Sequence, residues 1–387
     1  MPPQRARLAS SSKAAPSKDA GAPATPRPSS SVLLLSPQNE VLLLHRVQSS
    51  SSFPSAHVFP GGNLDAFHDG DVPGPDAPGR HVDGPAYRLA AVRECFEETG
   101  ILLARRREGS GGLVDVPRGE RDEARRRVHG NEVRFAEWLE SIDAEADTDG
   151  LLPFTRWITP RDVPRRFTTQ MYLYMLPISR ASSPSSPSAS SDPSSTSSTS
   201  SSSASPSHSS EMLIPTPDGG VEHTAAAFAP PQTFLSRAVS GEIILFPPQF
   251  YLLTHLARYL PSPSEHGSIE DASTRLATQR AKLLSFLRTV PAADTPGGKA
   301  HGTAQIAWAD KVIGPQPLLF RADRKIVLGL DRPGPELEGS DRAGDWERVV
   351  LFRQSKGGPV DLEVRLREDV LREEAEKREE AARDSKL

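Results

Sequence analysis

Short apolar runs alternate with polar, proline- and glycine-bearing breaks along the first half of the chain. Val32–Leu35 and Val41–Leu44 flank Ser36-Pro37-Gln38-Asn39, a turn signal between two strands. His57-Val58-Phe59 predicts a further short strand, stopped by Pro60-Gly61-Gly62. Residues 63–84 carry Asp, Gly and Pro without periodicity and are expected to form a surface loop. Ala86 to Thr99 predicts a helix with Gly100 placed as its C-cap. Ile101-Leu102-Leu103 predicts a strand, and Glu132–Ile142 a second helix. Phe154–Ile158, Met171–Ile178 and Val221–Phe228 read as strands, and Pro248–Tyr259 and Ile269–Leu287 as helices. Near the end, Leu362, Leu366 and Val370 recur every fourth residue, so 362–383 is expected to be a helix whose charged second half is a solvated spacer.

Composition changes this picture in one respect. Only 36% of the 387 residues are hydrophobic, while Pro (37) and Gly (28) are plentiful, so part of the length is expected to lie outside any core. The Pro/Ser/Ala-rich residues 1–30 and the serine tract 181–211 are the segments expected to be disordered. The serine tract is read as an insertion within one domain, because strand-like sequence returns after it. The expected organisation is a domain over 31–290 with inserted loops at 63–85 and 181–211, a C-terminal extension over 291–361, and a terminal helix over 362–387.

Charge and cysteine usage exclude some classes. A net charge of −4 gives no bulk electrostatic reason to expect nucleic-acid or anionic-membrane binding. The single cysteine, Cys95, excludes an intrachain disulfide framework and fits a reducing compartment. No run of about twenty apolar residues is present to span a bilayer, and no apolar segment follows the N-terminus as a secretory signal would require. Two address signals remain. Arg5, Arg7, Lys13 and Lys18 lie in an acid-free, serine-bearing stretch that loosely suits mitochondrial import, although its prolines spoil an amphipathic helix. Ser385-Lys386-Leu387 matches the peroxisomal address read by an import receptor, and the peroxisome is the favoured expectation.

The candidate chemistry lies on the first predicted helix. Leu89, Val92, Phe96 and Thr99 share one face, and Glu94, Glu97 and Glu98 lie opposite, spaced i, i+3, i+4. Three carboxylates on one turn repel by a few tenths of a kcal/mol per pair, and they sit near the helix C-terminus, whose partial negative charge disfavours acids. Arg93 offsets only part of this. A hard divalent cation would reverse both penalties, and oxygen donors suit magnesium or manganese. Cys95, at the edge of the apolar face, is read as packed.

Arg93-Glu94-Cys95-Phe96-Glu97-Glu98-Thr99-Gly100-Ile101 resembles the core of the Nudix box, R-E-U-x-E-E-x-G-U, with Cys95 at the first apolar position as a mild departure. Phe59-Pro60-Gly61-Gly62 resembles the glycine segment that opens the box. The family places its second glycine fourteen residues before the arginine; here Gly62 and Arg93 are 31 positions apart, an insertion of about seventeen residues. The family's first glutamate would fall on Pro85 and is absent. The resemblance implies an α/β fold, the Nudix α-β-α sandwich with a mixed sheet, here with large inserted loops and a C-terminal extension. It also implies Glu94, Glu97 and Glu98 as metal ligands, the Gly61 carbonyl as a further ligand, and Arg93 as the residue that orients the glutamates. One of the glutamates or a nearby acid would polarise the attacking water, with Mg2+ or Mn2+ lowering its pKa.

Within that family, Leu42–Arg46, Ser52–Gly62 and Ile243–Tyr251 resemble segments of the peroxisomal coenzyme A diphosphatase branch. This implies hydrolysis of coenzyme A or acyl-coenzyme A to 3′,5′-ADP and (acyl-)phosphopantetheine. NADH or another nucleoside diphosphate derivative is the alternative substrate, and a catalytically inactive binding module is the alternative from another class. Arg46, Arg165 and Arg166 are candidates to meet the nucleotide phosphates, and Glu222 is a candidate additional base or metal ligand.

Overall fold

The computed structural model describes residues 24–47, 55–108, 111–178, 215–216, 223–262 and 269–384. The expected serine-rich insertion, Glu222 and Ser385-Lys386-Leu387 lie outside the described residues.

The first two strands, β1 (Arg27–Leu35) and β2 (Val41–Arg46), are followed by the short β3 (His57–Val58) and β4 (Gly61–Asn63). Helix α1 (Pro85–Thr99) leads through β5 (Ala104–Arg106) to α2 (Arg118–His129), α3 (Phe135–Ser141) and β6 (Ala144–Ala146). Next come β7 (Leu152–Ile158), β8 (Phe167–Met175), β9 (His223–Ala229), α4 (Pro231–Val239), α5 (Pro247–Tyr259), α6 (Ile269–Arg288) and the single-turn α7 (Pro296–Ala300). The chain closes with β10 (Val312–Ile313), β11 (Gln316–Phe320), β12 (Ile326–Leu330), β13 (Asp345–Ser355), β14 (Gly358–Leu366) and α8 (Arg367–Asp384).

The main sheet runs β10-β7-β8-β1-β2-β3, with β4 also on β1 and β9 also on β2. It is mixed: β1 lies parallel to β8 and β10 parallel to β7, while the other pairs are antiparallel. Alternate side chains of β1 divide between two cores. Leu33 and Leu35 join Leu43, Leu173 and residues of α4, α5 and α6 on one face. Val32 and Leu34 join Leu42, Tyr172 and residues of α1, α2 and α3 on the other. Burial on both faces explains why Val32–Leu35 is an unbroken apolar run and not an alternating one. The result is the expected layering of helices on both sides of a mixed sheet.

Residues 316–366 form a second sheet, ordered β11-β12-β13-β14. Val327, Val349 and Leu351 on one face pack with Val370 of α8. The other face carries Ile326, Leu328, Val350 and Phe352 into the main core. The C-terminal extension is therefore half of a shared interior, and its β10 extends the main sheet itself.

Several local expectations are corrected. Residues 27–30, expected to be disordered, belong to β1, where backbone pairing with β8 supplies order that Arg27-Pro28-Ser29-Ser30 does not signal. Ile101–Leu103 is buried without being a strand, and pairing begins at Ala104. The second helix starts at Phe135 and not at Glu132, and α2 before it was hidden by a sequence with few apolar positions. Leu362 and Leu366 belong to β14, where they alternate with Val364 at a period of two; the helix begins only at Arg367. The loop 63–84 contains buried His68, Asp69 and Arg80, so it is anchored inside the protein.

Candidate active site

Helix α1 presents the acids because its other face is consumed by the core, where Val92, Cys95 and Phe96 are fully buried. It stops at Gly100, which adopts the left-handed conformation at φ +73° and returns its N–H to the Phe96 carbonyl. The last-turn carbonyls are also satisfied. Arg125 of α2 donates from Nε and Nη2 to the Glu97 carbonyl at 3.1 and 2.8 Å, and Thr216 N–H donates to the Thr99 carbonyl. A guanidinium therefore sits at the negative end of the helix that carries the acids, an offset that the acid pattern alone did not reveal.

The glycine segment meets this helix at close range. Gly61 N–H donates to Glu98 Oε2 at 2.8 Å. A Cβ on Gly61 would lie 2.2 Å from the Ser30 carbonyl oxygen, and one on Gly62 would lie 2.5 Å from the Glu94 carboxyl. Both glycines are thus required by contact, the first against β1 and the second against a glutamate of α1. The Gly61 amide, not the carbonyl expected to bind metal, makes the observed contact with an acid.

Arg93 is the hub. Its Nη1 lies 2.9 Å from Glu94 Oε1 and 2.8 Å from Glu97 Oε1, which places it between two of the three acids. Its Nε and Nη2 each donate to Asp69 at 2.9 Å, one to each carboxylate oxygen, and Nη2 also donates to the Asn63 carbonyl. Burial works against the charge, yet Glu94, Asp69 and Glu97 together hold the guanidinium protonated well above the ordinary arginine range. Glu97 is further met by His129 Nδ1 at 3.1 Å, and Glu98 Oε1 lies 3.6 Å from His223 Nε2.

Asp69 was missed from the sequence. The expected acid was sought by counting back from Arg93, which lands on Pro85. Counting forward from Gly62 by the family's spacing lands on His68, next to the residue that holds Arg93. The insertion follows the acid, so only the forward count survives it. Asp69 is itself fixed by Asp65 N–H, and His68 is clamped between Asn131 and the Phe135 N–H.

The donor chemistry suits a hard cation: three carboxylates on one helical turn, two of them beside a glycine segment. Burial, opposed by Arg93 and reinforced by Glu97 and Asp69, pushes the Glu94 carboxyl up to about 7, so its charge wants compensation that a dication would give. Among the described residues no group of three or more acid, His or Cys side chains is arranged to hold a metal ion. The carboxylates rest instead on Arg93, His129 and the Gly61 N–H. Glu94, Glu97 and Glu98 fit the cation by donor type.

These residues line a cavity of about 1880 Å3. Arg46 and Arg165 also line it, with Arg118, Arg125 and Arg126 of α2. Arg166 does not. Its side chain is fully buried, paired with Glu336 and hydrogen-bonded to the carbonyls of Ala24, Thr159 and Pro160, so it ties chain segments together and is sealed away from the cavity. Cys95 is inert in the core: burial pushes its thiol up to about 12, with Glu98 adding to the shift and a Thr99 contact opposing it.

Similarity to known proteins follows the same lines. A family model described as the NUDT19 Nudix domain matches residues 79–218. The chain is 28% identical to the acyl-coenzyme A diphosphatase NUDT19 of Gallus gallus, over 81% of this chain and 82% of that one. The Homo sapiens protein of the same name is 31% identical, over 35% of this chain and 48% of that one. Among solved structures, a Nudix hydrolase from Alicyclobacillus acidocaldarius covers 64% of this chain and 96% of its own at 21% identity, with a TM-score of 0.42. The R-E-x-x-E-E-x-G core on α1 with the glycine segment against it is thus accompanied by similarity to proteins named for Nudix domains and acyl-coenzyme A diphosphatases.

Proposed function

We propose that the protein hydrolyses the diphosphate bond of coenzyme A or acyl-coenzyme A, giving 3′,5′-ADP and (acyl-)phosphopantetheine. The observation that carries this reading is the similarity to the acyl-coenzyme A diphosphatases along most of the chain, set beside an acid cluster that lines a large cavity.

Nudix hydrolases work with divalent cations, and Mg2+ or Mn2+ is the proposed cofactor here, held through Glu94, Glu97 and Glu98. When bound, such a cation neutralises phosphate charge and lowers the pKa of water. The protein's own contribution is positional. Arg93, gripped by Asp69, fixes the Glu94 and Glu97 carboxylates, and the Gly61 N–H fixes Glu98. Attack of water on one phosphorus breaks a P–O–P linkage, leaves two phosphate monoesters and releases a proton, for which these carboxylates are the nearest acceptors. Arg46 and Arg165 line the same cavity and are the proposed partners of the substrate's 3′-phosphate.

The test is a product screen over coenzyme A, acyl-coenzyme A, NADH and ADP-ribose with Mg2+ or Mn2+. Release of 3′,5′-ADP from the coenzyme A compounds at the highest kcat/KM is expected, and preferential cleavage of NADH would overturn the reading. We also propose the peroxisome as the site of action. Removing Ser385-Lys386-Leu387 is expected to release the protein to the cytosol without changing turnover in vitro. Organelle retention of the truncated protein, abolished by loss of residues 1–28, would point to the mitochondrion.

A further inference from the structure

The cavity has a wall that diphosphate chemistry does not use. Pro317, Ile326, Leu328 and Phe352 come from the second sheet. Pro317 lies opposite Leu328, and Ile326 opposite Phe352, so the four form one continuous patch across β11, β12 and β13. The sheet's other face is already taken by α8. Trp157, Phe167, Met171, Phe246 and Leu252 of the main domain line the same cavity, and Trp157, Met171 and Leu252 belong to the same apolar cluster as Phe352. Ile326 and Leu328 are only partly buried. None of the acids or arginines of the catalytic region belongs to this wall.

Size points the same way. A volume of about 1880 Å3 is well beyond the roughly 300–1,000 Å3 of ordinary small-ligand sites. A nucleotide needs cations and hydrogen-bond partners, which the acid and arginine side supplies. The apolar side needs an apolar occupant. In an acyl thioester of coenzyme A, the diphosphate and the acyl group lie at opposite ends of the phosphopantetheine arm, so one molecule can present each end to a wall of its own kind.

We propose that the apolar face of the second sheet receives the acyl chain of the substrate, and that Ile326, Leu328 and Phe352 set chain-length preference. This rests on the coenzyme A reading above and deepens it: the C-terminal extension becomes part of substrate selection.

The experiment compares free coenzyme A with octanoyl-coenzyme A, in the wild type and in the double variant Ile326→Thr/Leu328→Thr. Threonine has the β-branched shape suited to a strand and removes apolar surface. The wild type is expected to favour the octanoyl ester in kcat/KM, and the variant to lower that preference about tenfold, within the range that a few methylenes in an apolar pocket provide. Calorimetric binding of octanoyl-coenzyme A in EDTA should weaken in parallel, with the melting temperature of the variant close to the wild type. An unchanged ratio, with both substrates declining together, would overturn the proposal; the wall would then serve the nucleotide or the fold. If the wild type cleaves neither compound, the coenzyme A reading itself fails, a result visible before any variant is made.

Discussion

The acid side of the cavity is assembled from residues 61–69 and 93–98, joined by hydrogen bonds of 2.8–3.0 Å that leave Arg93 no spare donor. The apolar side gathers Trp157, Leu252, Ile326 and Phe352 from distant parts of the chain and holds them chiefly by packing. Hydrogen-bonded charges have one good arrangement, so a change on the acid side should be felt as lost chemistry. An apolar wall tolerates reshaping, so a change there should alter which substrate is preferred. A site built in this way can keep one reaction while its selectivity varies.

The sharpest way to break this contrast is on α1. Glu97→Gln and Glu98→Gln are each expected to lower kcat by about a thousandfold with the fold intact, because they remove charge that the reaction needs and leave packing alone. Near-normal turnover in both, measured with saturating Mg2+, would move the reaction away from these acids.

Asp69→Asn comes next. It leaves Arg93 with one neutral partner in place of a buried carboxylate, so kcat should fall roughly ten- to a hundredfold while KM changes little. Breaking a buried pair should also cost on the order of 3 kcal/mol, moderated by the remaining Glu94 and Glu97. Loss of stability with normal kcat would make Asp69 a fold residue only, and Asp69→Glu should restore part of the turnover.

The smallest effect concerns pH. The folded state pushes Glu94 up to about 7 from its ordinary 4.5, so folding disfavours its charged form. Stability from this group is complete below about pH 4.5 and is lost as pH rises through about 7. In EDTA, urea unfolding should therefore show stability declining between pH 5 and 8. Added Mg2+ should flatten the decline. Metal-free stability that rises over this interval would contradict the upward push of burial on Glu94, which its pairing with Arg93 opposes only in part.

The two sides also differ in how readable they are. The acid helix announces itself, because eleven consecutive residues, Leu89–Thr99, carry both the apolar face and the three glutamates. Asp69 was obscured because the insertion separates it from Arg93 by 24 positions, and pairing across a loop has no periodicity. Arg166 looked like a phosphate contact for the opposite reason: a basic pair in a polar loop gives no hint that one member is sealed against Glu336. The second sheet was read as an undefined extension, and Leu362 and Leu366 were given to a helix. A spacing of four satisfies both the helical and the strand period, and only the pairing of β13 with β14 decides between them. Strands β2, β7 and β8 of the main sheet are legible in outline from their apolar runs, whereas β1 begins in Arg27-Pro28-Ser29, ordered by its neighbours and not by its own side chains.

The position of Cys95 has a consequence for redox chemistry. It is the chain's only thiol, it lies fully buried on the core face of α1, and burial pushes it up to about 12, so almost none is thiolate at neutral pH. Free coenzyme A carries a thiol of its own, and its oxidised forms exchange with any accessible protein thiolate. A hydrolase that handles such a substrate with no reactive sulfur at its surface can turn it over without being captured as a mixed disulfide.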